Sequence, residues 1–168
     1  MPEPFTQIAA AWAATRPVEV VAAALGLVYL VLAIRQHPGC WFAAFASTLL
    51  YAWVFWDADL RMQAALQVYY VGMAVYGWFA WRGTARGAPL PVTRGAWRLH
   101  ALGLCGVLAA TAATLAWLGE RSAQPALDAF TTWASVFTTW LVARKILGNW
   151  AWWFGIDALI VVLCWRQG

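Results

Sequence analysis

The chain has 168 residues, of which 64% are hydrophobic and 11% are charged. Soluble domains contain roughly half apolar and about a quarter charged residues, so one soluble core could not bury this much apolar surface. The net charge of +4 comes from basic residues in short connections, which is typical of a membrane protein and does not indicate a nucleic-acid-binding surface.

Six apolar segments predict six transmembrane helices, and therefore an all-α polytopic membrane protein. The segments run approximately over residues 18–34, 41–57, 62–81, 97–118, 126–143 and 150–165. The longest connection, Arg82 to Arg98, is rich in glycine, proline and arginine. We therefore predict a first three-helix unit over 1–81, a basic loop with a linker helix over 82–120, and a second three-helix unit over 121–168.

An internal repeat relates the two units at a shift of 109 positions. The identical residues include Arg35 and Arg144, Gly39 and Gly148, and Trp41 and Trp150. Two three-helix units joined by one helix form a parallel repeat, as in SWEET-like carriers. The counterpart of the third helix would follow Gly168, so we expect the second unit to lack its last helix in this sequence.

The basic residues also predict the orientation in the membrane. The first, third and fifth connections carry seven of them, and the opposite side carries four. Because cytoplasmic loops are enriched in Lys and Arg, we expect the N-terminus to be periplasmic. Glu3 stands where a signal peptide has a basic region, so no cleaved signal is expected.

Four of the predicted helices carry polar or aromatic side chains on one face. The third has Gln63, Gln67, Tyr70 and Ala74 at helical spacing, the sixth has Asn149, Trp153 and Asp157, and the second and fifth carry Ser and Thr. An unpaired amide or carboxylate is costly in lipid. We therefore predict that Gln67, Asn149, Trp153 and Asp157 line a wet cavity, with mid-helix Trp53 as a further candidate.

Several other residues have a structural interpretation. Hydroxyls in membrane helices commonly bond to their own backbone, and tryptophans near helix ends commonly lie at the membrane interface. The tryptophans so placed are Trp41, Trp81, Trp97, Trp117 and Trp150. Arg144 and Lys145 are interpreted as orientation charges, and His37 and His100 as residues of loops or of the interface.

The candidate side chains suit a flat, cationic ring with a polar tail, because amides donate and accept while indole faces attract cations. The sequence contains no nucleotide-binding loop, metal-ligand cluster or catalytic set, and its three cysteines are scattered. We expect no enzymatic activity, no cofactor and no metal, and passive transport fits best.

Two motifs resemble those of the PnuC transporter family. Residues 66–81, LQVYYVGMAVYGWFAW, resemble its LQ-x-x-Y-x-x-M-x-x-YGW-x-x-W signature. Residues 143–159, ARKILGNWAWWFGIDAL, are similar to its second motif and follow a threonine-rich TTWASVFTTW. The resemblance implies a seven-helix, SWEET-like homotrimer in the bacterial inner membrane. It also implies facilitated diffusion of nicotinamide riboside, followed by phosphorylation in the cytoplasm.

The resemblance further implies that Gln67, Asn149, Trp153 and Asp157 line the substrate cavity, with Trp53, Tyr70 and Thr139 near it. Some relatives carry an amide in place of Asp157 and a glutamine in place of Thr139, so thiamine or another vitamin remains an alternative substrate. A vitamin-binding subunit that depends on an ATPase partner, docked at the Arg82–Arg98 loop, is a second alternative. A membrane protein whose polar stripes only pack together is a third.

Overall fold

The computed structural model describes residues 15–82, 90–119 and 123–167, without the side chains of residues 62, 123, 124 and 163–167. These ranges contain six helices: α1 (Pro17–Ile34), α2 (Cys40–Asp57), α3 (Arg61–Trp81), α4 (Trp97–Leu118), α5 (Ala123–Ala143) and α6 (Asn149–Gln167). The all-α prediction is confirmed, and each helix lies within three residues of its predicted bounds. Arg86 and Arg121, which contribute to the predicted charge bias, lie outside the described residues.

Helices α1 and α4 are long and apolar enough to cross a membrane, and only 11% of each candidate span is buried. Length and composition alone also fit a signal sequence or the core helix of a soluble protein. Such low burial is not typical of a core helix, because a helix that is apolar all round normally buries its surface.

The contacts within the chain define two compact units, of which the first ends at Trp78 and the second begins at Phe79. The boundary falls in the last turn of α3. The predicted division into segments 1–81, 82–120 and 121–168 stays a prediction.

In the first unit, α1 and α2 approach closely through small residues. Ala22 is fully buried, and the Ser47 hydroxyl donates a hydrogen bond of 2.8 Å to its carbonyl oxygen. Gly26 lies beside the same hydroxyl. Small residues allow helices to approach closely, and a hydroxyl can then bond across the interface.

The turn between α1 and α2 is a Schellman motif, in which the residue after the helix adopts a left-handed conformation. Gln36 takes that conformation, with a φ of 55°. The N–H of His37 donates to the Leu32 carbonyl at 2.9 Å, and that of Gln36 donates to Ala33 at 3.0 Å. These bonds satisfy carbonyls that the end of α1 would otherwise leave unpaired.

The same motif recurs 109 positions later, between α5 and α6. Lys145 has a φ of 54°, and the N–H of Ile146 donates to the Leu141 carbonyl at 3.0 Å. Cys40 and Asn149 then begin the following helices, each with a backbone hydrogen bond of 3.1 Å to the third residue before it. A turn of the same type at Asp59 closes α2, so the turn type alone does not identify a repeat. The matching start of the next helix, at the same 109-residue shift, supports the predicted internal repeat.

In the second unit, α4, α5 and α6 each contribute one residue to a buried cluster: Val107, Ala134 and Ile156. The cluster is enclosed by larger side chains from α5 and α6, namely Phe130, Phe137, Trp152 and Trp153. Gly103 of α4 lies against the Phe137 ring, where an added Cβ would be 2.2 Å from a ring carbon. Glycine therefore fixes how closely α4 and α5 pack.

The segment before α4 is attached to the α5–α6 turn by a parallel backbone bridge. The Thr93 N–H donates to the Lys145 carbonyl at 3.0 Å, and the Leu147 N–H donates to the Thr93 carbonyl at 2.7 Å. The end of the long basic connection is thus fixed to the second unit.

At the far end of α1 and α2 from their turn, basic side chains pair with acidic ones. The guanidinium of Arg16 donates to the carboxylates of Asp57 and Glu19, and these carboxylates raise the pKa of Arg16 above its ordinary value. Arg61 pairs with Asp59 in the α2–α3 turn. All of these side chains except Glu19 have large exposed fractions, so they contribute little to stability.

Gly77 of α3 packs directly against Trp41 of α2. A Cβ at this position would lie 2.3 Å from the Trp41 ring, and the neighbouring Trp78 ring lies 4.1 Å from that of Phe42. The glycine of the YGW sequence is therefore required by the indole that packs on it.

We predict that Gly77→Ala lowers the free energy of unfolding by about 1–3 kcal/mol, because overpacking displaces the Trp41 ring. Gly72→Ala is the matched control in the same helix, since no atom lies within 4 Å of its added Cβ. That change should be neutral or stabilise the helix by up to ~1 kcal/mol. Thermal unfolding in detergent measures both, and equal stability of the two variants would contradict the contact.

Candidate functional site

The predicted polar face of α3 is the face that the first unit partly buries. Gln67 and Tyr70 are half-buried, while Ala74 on the same face is only 2% exposed. Tyr70 also lies beside Tyr69, with 5.7 Å between the ring centroids. The amide and the phenol therefore lie on the side of α3 that the rest of the first unit partly covers.

Trp53 lies in the middle of α2 and is 59% exposed. A groove of about 610 Å³ between α1 and α2 is lined by apolar residues, Tyr51 and Phe55 among them, with Arg16 and Glu19 at one end. None of the seven predicted site residues lines this groove. It is therefore separate from the predicted site.

The hydroxyl groups of α5 bond to their own helix. Thr138 donates to the Ala134 carbonyl at 2.7 Å, and Thr139 donates to the Ser135 carbonyl at 2.8 Å. Thr131 donates to Asp128 in the same way, at 3.0 Å. Because their hydrogens are used, these hydroxyls can only accept further hydrogen bonds. The prediction that hydroxyls in these helices bond to their own backbone is therefore confirmed for Thr131, Thr138 and Thr139.

Asn149 is the first residue of α6 and is 6% exposed. Its Nδ2 donates to the Ile146 carbonyl at 2.6 Å, which fixes the orientation of the amide. Its Oδ1 has no hydrogen-bond partner within the described part of the chain. A buried acceptor without a partner costs about 1–3 kcal/mol, so this oxygen is suited to receive a donor from a bound molecule.

Trp153 and Asp157 continue the Asn149 face along α6. Trp153 is half-buried and packs against the Val107–Ala134–Ile156 cluster. Asp157 is exposed, although it lies two turns inside the helix. The face thus changes from a buried amide to a half-buried indole and then to an accessible carboxylate, over roughly 12 Å of helix.

The sequence missed the packing role of Lys145 and Trp81. Lys145 was predicted to be an orientation charge, but it is only 9% exposed, and its Nζ lies 4.4 Å from the centroid of the Trp81 ring. Trp81 in turn donates from Nε1 to the Ala143 carbonyl at 3.2 Å. Lys145 therefore also has a packing role that was not predicted, because a cation–π contact retains the ammonium within the unit, and its role as an orientation charge stays a prediction.

The interface prediction is wrong for Trp41 and Trp81, which are 3% and 4% exposed. These residues pack inside their units because each indole meets a partner from another segment, Gly77 and Ala143 respectively. Trp97 and Trp117 are highly exposed, as a membrane-interface position requires. Apolar periodicity cannot separate these two environments.

His100 is another residue whose packing contacts were not predicted from the sequence. It lies in the first turn of α4 and is half-buried, and its Nδ1 accepts a hydrogen bond of 3.2 Å from Nε1 of Trp152. The loop position is therefore wrong for this residue, because it belongs to a helix and packs against another one, and the interface position stays a prediction. The glycine at 148 was the available sequence signal, since the ring occupies the space beside it.

The predicted site residues are divided between the two units. The second unit contains Asn149, Trp153, Asp157 and Thr139, of which Asn149 and Thr139 are buried. The first contains Gln67, Tyr70 and Trp53. The amide, indole and carboxylate of α6 form the most complete set, and their role as a binding site stays a prediction.

Comparison with known proteins shows what kind of protein has this fold. Residues 16–168 match the family described as "Nicotinamide mononucleotide transporter". The chain is 27% identical to the nicotinamide riboside transporter PnuC of Escherichia coli (strain K12), over 90% of this chain and 75% of that protein, and equally to the Shigella flexneri protein. The crystal structure of the vitamin B3 transporter PnuC matches with a TM-score of 0.71 and 23% identity, over 90% of this chain and 69% of that one.

The six-helix fold and these matches define a polytopic helical membrane transporter, not an enzyme. The chain belongs to the nicotinamide mononucleotide transporter family. The family resemblance, the all-α membrane fold and the transport of a small molecule are thereby confirmed.

The hydroxyl bonds of α5 predict how two substitutions behave. Thr138→Val and Thr139→Val each remove a donor that bonds only within α5, so each should change the free energy of unfolding by less than about 1 kcal/mol. Thermal unfolding in detergent is the measurement. A larger loss for either variant would show that its hydroxyl has a second partner across a helix interface.

Proposed function

We propose that this chain lets nicotinamide riboside cross the bacterial inner membrane by facilitated diffusion. Relatives that cover nine-tenths of the chain are named transporters of this compound, which supports the proposal. The observation that carries it is the unpartnered Oδ1 of buried Asn149, four residues before Trp153 on one face of α6.

The chemistry of the α6 face matches this substrate. Nicotinamide riboside consists of a flat cationic ring with a carboxamide, joined to a ribose. The carboxamide N–H can donate to Asn149 Oδ1, and the ring can stack on the Trp153 indole, which attracts cations through its face. The carboxylate of Asp157 is the complementary charge, and an acid at this depth in a membrane helix must meet water or a cation.

We assign the ribose to amide and hydroxyl groups. Gln67 offers a donor and an acceptor, and Tyr70 offers a phenolic hydroxyl on the same face of α3. Thr139 retains acceptor capacity, since only its hydrogen is used within α5. Trp53 supplies an exposed indole in the middle of α2.

The charge distribution supports a periplasmic N-terminus. The basic residues at the Asp57 end of the first unit, Arg16 and Arg61, pair with carboxylates. Arg35 and Arg144 are exposed at the α1–α2 and α5–α6 turns, which therefore belong on the cytoplasmic side. The homotrimer implied by the family resemblance is part of the same proposal, with one substrate path in each subunit.

Uptake into energy-free proteoliposomes tests the proposed function. Labelled nicotinamide riboside should equilibrate across the membrane with saturable kinetics and without ATP. Uptake that requires an added ATPase would instead show a vitamin-binding subunit, and uptake of thiamine alone would replace the substrate. Absence of transport for every vitamin tested would refute a carrier.

Two substitutions test the α6 face. Trp153→Phe keeps an aromatic ring against the cluster but removes the indole, and Asn149→Cys introduces the residue found at the corresponding position of the first turn. Each should raise the dissociation constant for nicotinamide riboside about tenfold or more, as loss of a hydrogen bond or cation–π contact predicts.

Phe154→Ala is the control for these variants, because this aromatic neighbour is 79% exposed and lies off the predicted face. Isothermal titration and thermal unfolding in detergent separate affinity from stability. If Trp153→Phe and Asn149→Cys fold and bind as the wild type does, the assignment of the site to α6 is wrong.

A further inference from the structure

The side chain of His100 connects three segments of the second unit. It belongs to α4, and its Nδ1 accepts a hydrogen bond from Nε1 of Trp152 in α6. The opposite side of the ring lies against Gly148 in the α5–α6 turn and against Gly95 before α4. No assigned function uses this half-buried imidazole.

Two glycines make the space that the imidazole occupies. A Cβ at Gly148 would lie 2.3 Å from Cε1 of His100 and 2.5 Å from Nε2, and a Cβ at Gly95 would lie 3.0 Å from Nε2. Gly95 also has a φ of +75°, a conformation that favours glycine. The backbone along the Nε2–Cε1 edge of the ring therefore leaves the space that the imidazole fills.

The bridge between Thr93 and the α5–α6 turn holds these glycines in place. The Thr93 N–H and carbonyl bond to Lys145 and Leu147, so the backbone near Gly95 and the backbone near Gly148 are joined directly. The bridge thus keeps both glycines against the same edge of the imidazole.

Trp152 is fixed from two directions. His100 accepts its N–H, and the Phe137 ring meets its indole nearly edge-on, with 5.2 Å between centroids. An indole N–H can only donate, so Nδ1 of His100 is the acceptor in this bond. The rotation of the first turn of α6 about its axis is thus set by a contact with α4.

That turn also carries the residues proposed to bind the substrate. Asn149 is three residues before Trp152, and Trp153 follows it directly, so a rotation of α6 would move all three side chains together. Binding groups must be held to within about 0.5 Å of their productive geometry by supporting contacts. A contact that fixes Trp152 therefore fixes the direction of the binding face.

We infer that His100 is a positioning residue for substrate binding, which acts by holding the Trp152 indole and thereby orienting Asn149 and Trp153. The inference rests on the proposed function. It adds a residue of α4 to the determinants of affinity, although His100 itself does not touch the substrate.

A double-mutant cycle between His100 and Trp152 tests the inference. His100→Ala removes the acceptor, and Trp152→Phe removes the donor while keeping a ring against Phe137. Each should raise KM for nicotinamide riboside uptake about five- to tenfold, as loss of one buried hydrogen bond predicts, with Vmax little changed. The double variant should be no weaker than either single variant, since both remove one interaction.

His100→Asn is the conservative variant, because its Oδ1 can accept near the position of Nδ1, and it should restore most of the affinity. His37→Ala is the matched control. This histidine accepts the Gly39 N–H in the corresponding turn of the first unit but contacts no predicted binding residue, so KM should be unchanged. The indole N–H resonance of Trp152, assigned by its absence in Trp152→Phe, should shift in His100→Ala.

Three results would overturn the inference: wild-type KM in Trp152→Phe, additive effects in the double variant, or an unshifted Trp152 resonance in His100→Ala. If His100→Ala does not fold, the KM of Trp152→Phe still tests the inference. His100→Asn then tests whether an acceptor at this position is enough to keep the affinity. Failure of the wild type to bind nicotinamide riboside would overturn the proposed function, and with it the effect on affinity. The wild-type measurement and the resonance thus separate the two failures.

Discussion

The structure depends on one constraint: polar groups in apolar helices must find their hydrogen-bond partners inside the protein. The threonine hydroxyls of α2, α4 and α5 for which donor bonds are seen donate to carbonyls of their own helices. Ser47 satisfies the same need by bonding across to α1. Asn149 Oδ1 does not meet this constraint within the described part of the chain, and it lies where the second family motif begins a helix.

The corresponding Schellman turns at Gln36 and Lys145 show how a repeat can keep its backbone while its side chains diverge. Gln36 and Lys145 share a left-handed conformation and the same pattern of bonds. Gln36 is exposed, whereas Lys145 is buried beneath Trp81. The backbone is set by local geometry, and each side chain is set by whatever other segment lies against it.

This difference also explains which features could be predicted from the sequence. The helix bounds follow from apolar length, and the partly buried face of α3 follows from the 3.6-residue period that places Ala74 with Gln67. The burial of Lys145 could not be predicted, because it depends on Trp81, a residue far away in the chain. The role of His100 depends in the same way on Trp152 and Gly148, and no periodicity within one helix reports such contacts. For the α6 residues, the shared face could be predicted from the sequence, but the gradient of burial along that face could not.

Both turns place an imidazole beside their shared glycine, but the imidazoles come from different parts of the chain. Beside Gly39 it is His37 from the same turn, and beside Gly148 it is His100 from α4. The first turn therefore contains all the side chains that pack on its glycine. The second turn closes through its own backbone bonds, but the packing around its glycine is complete only when α4 lies against it.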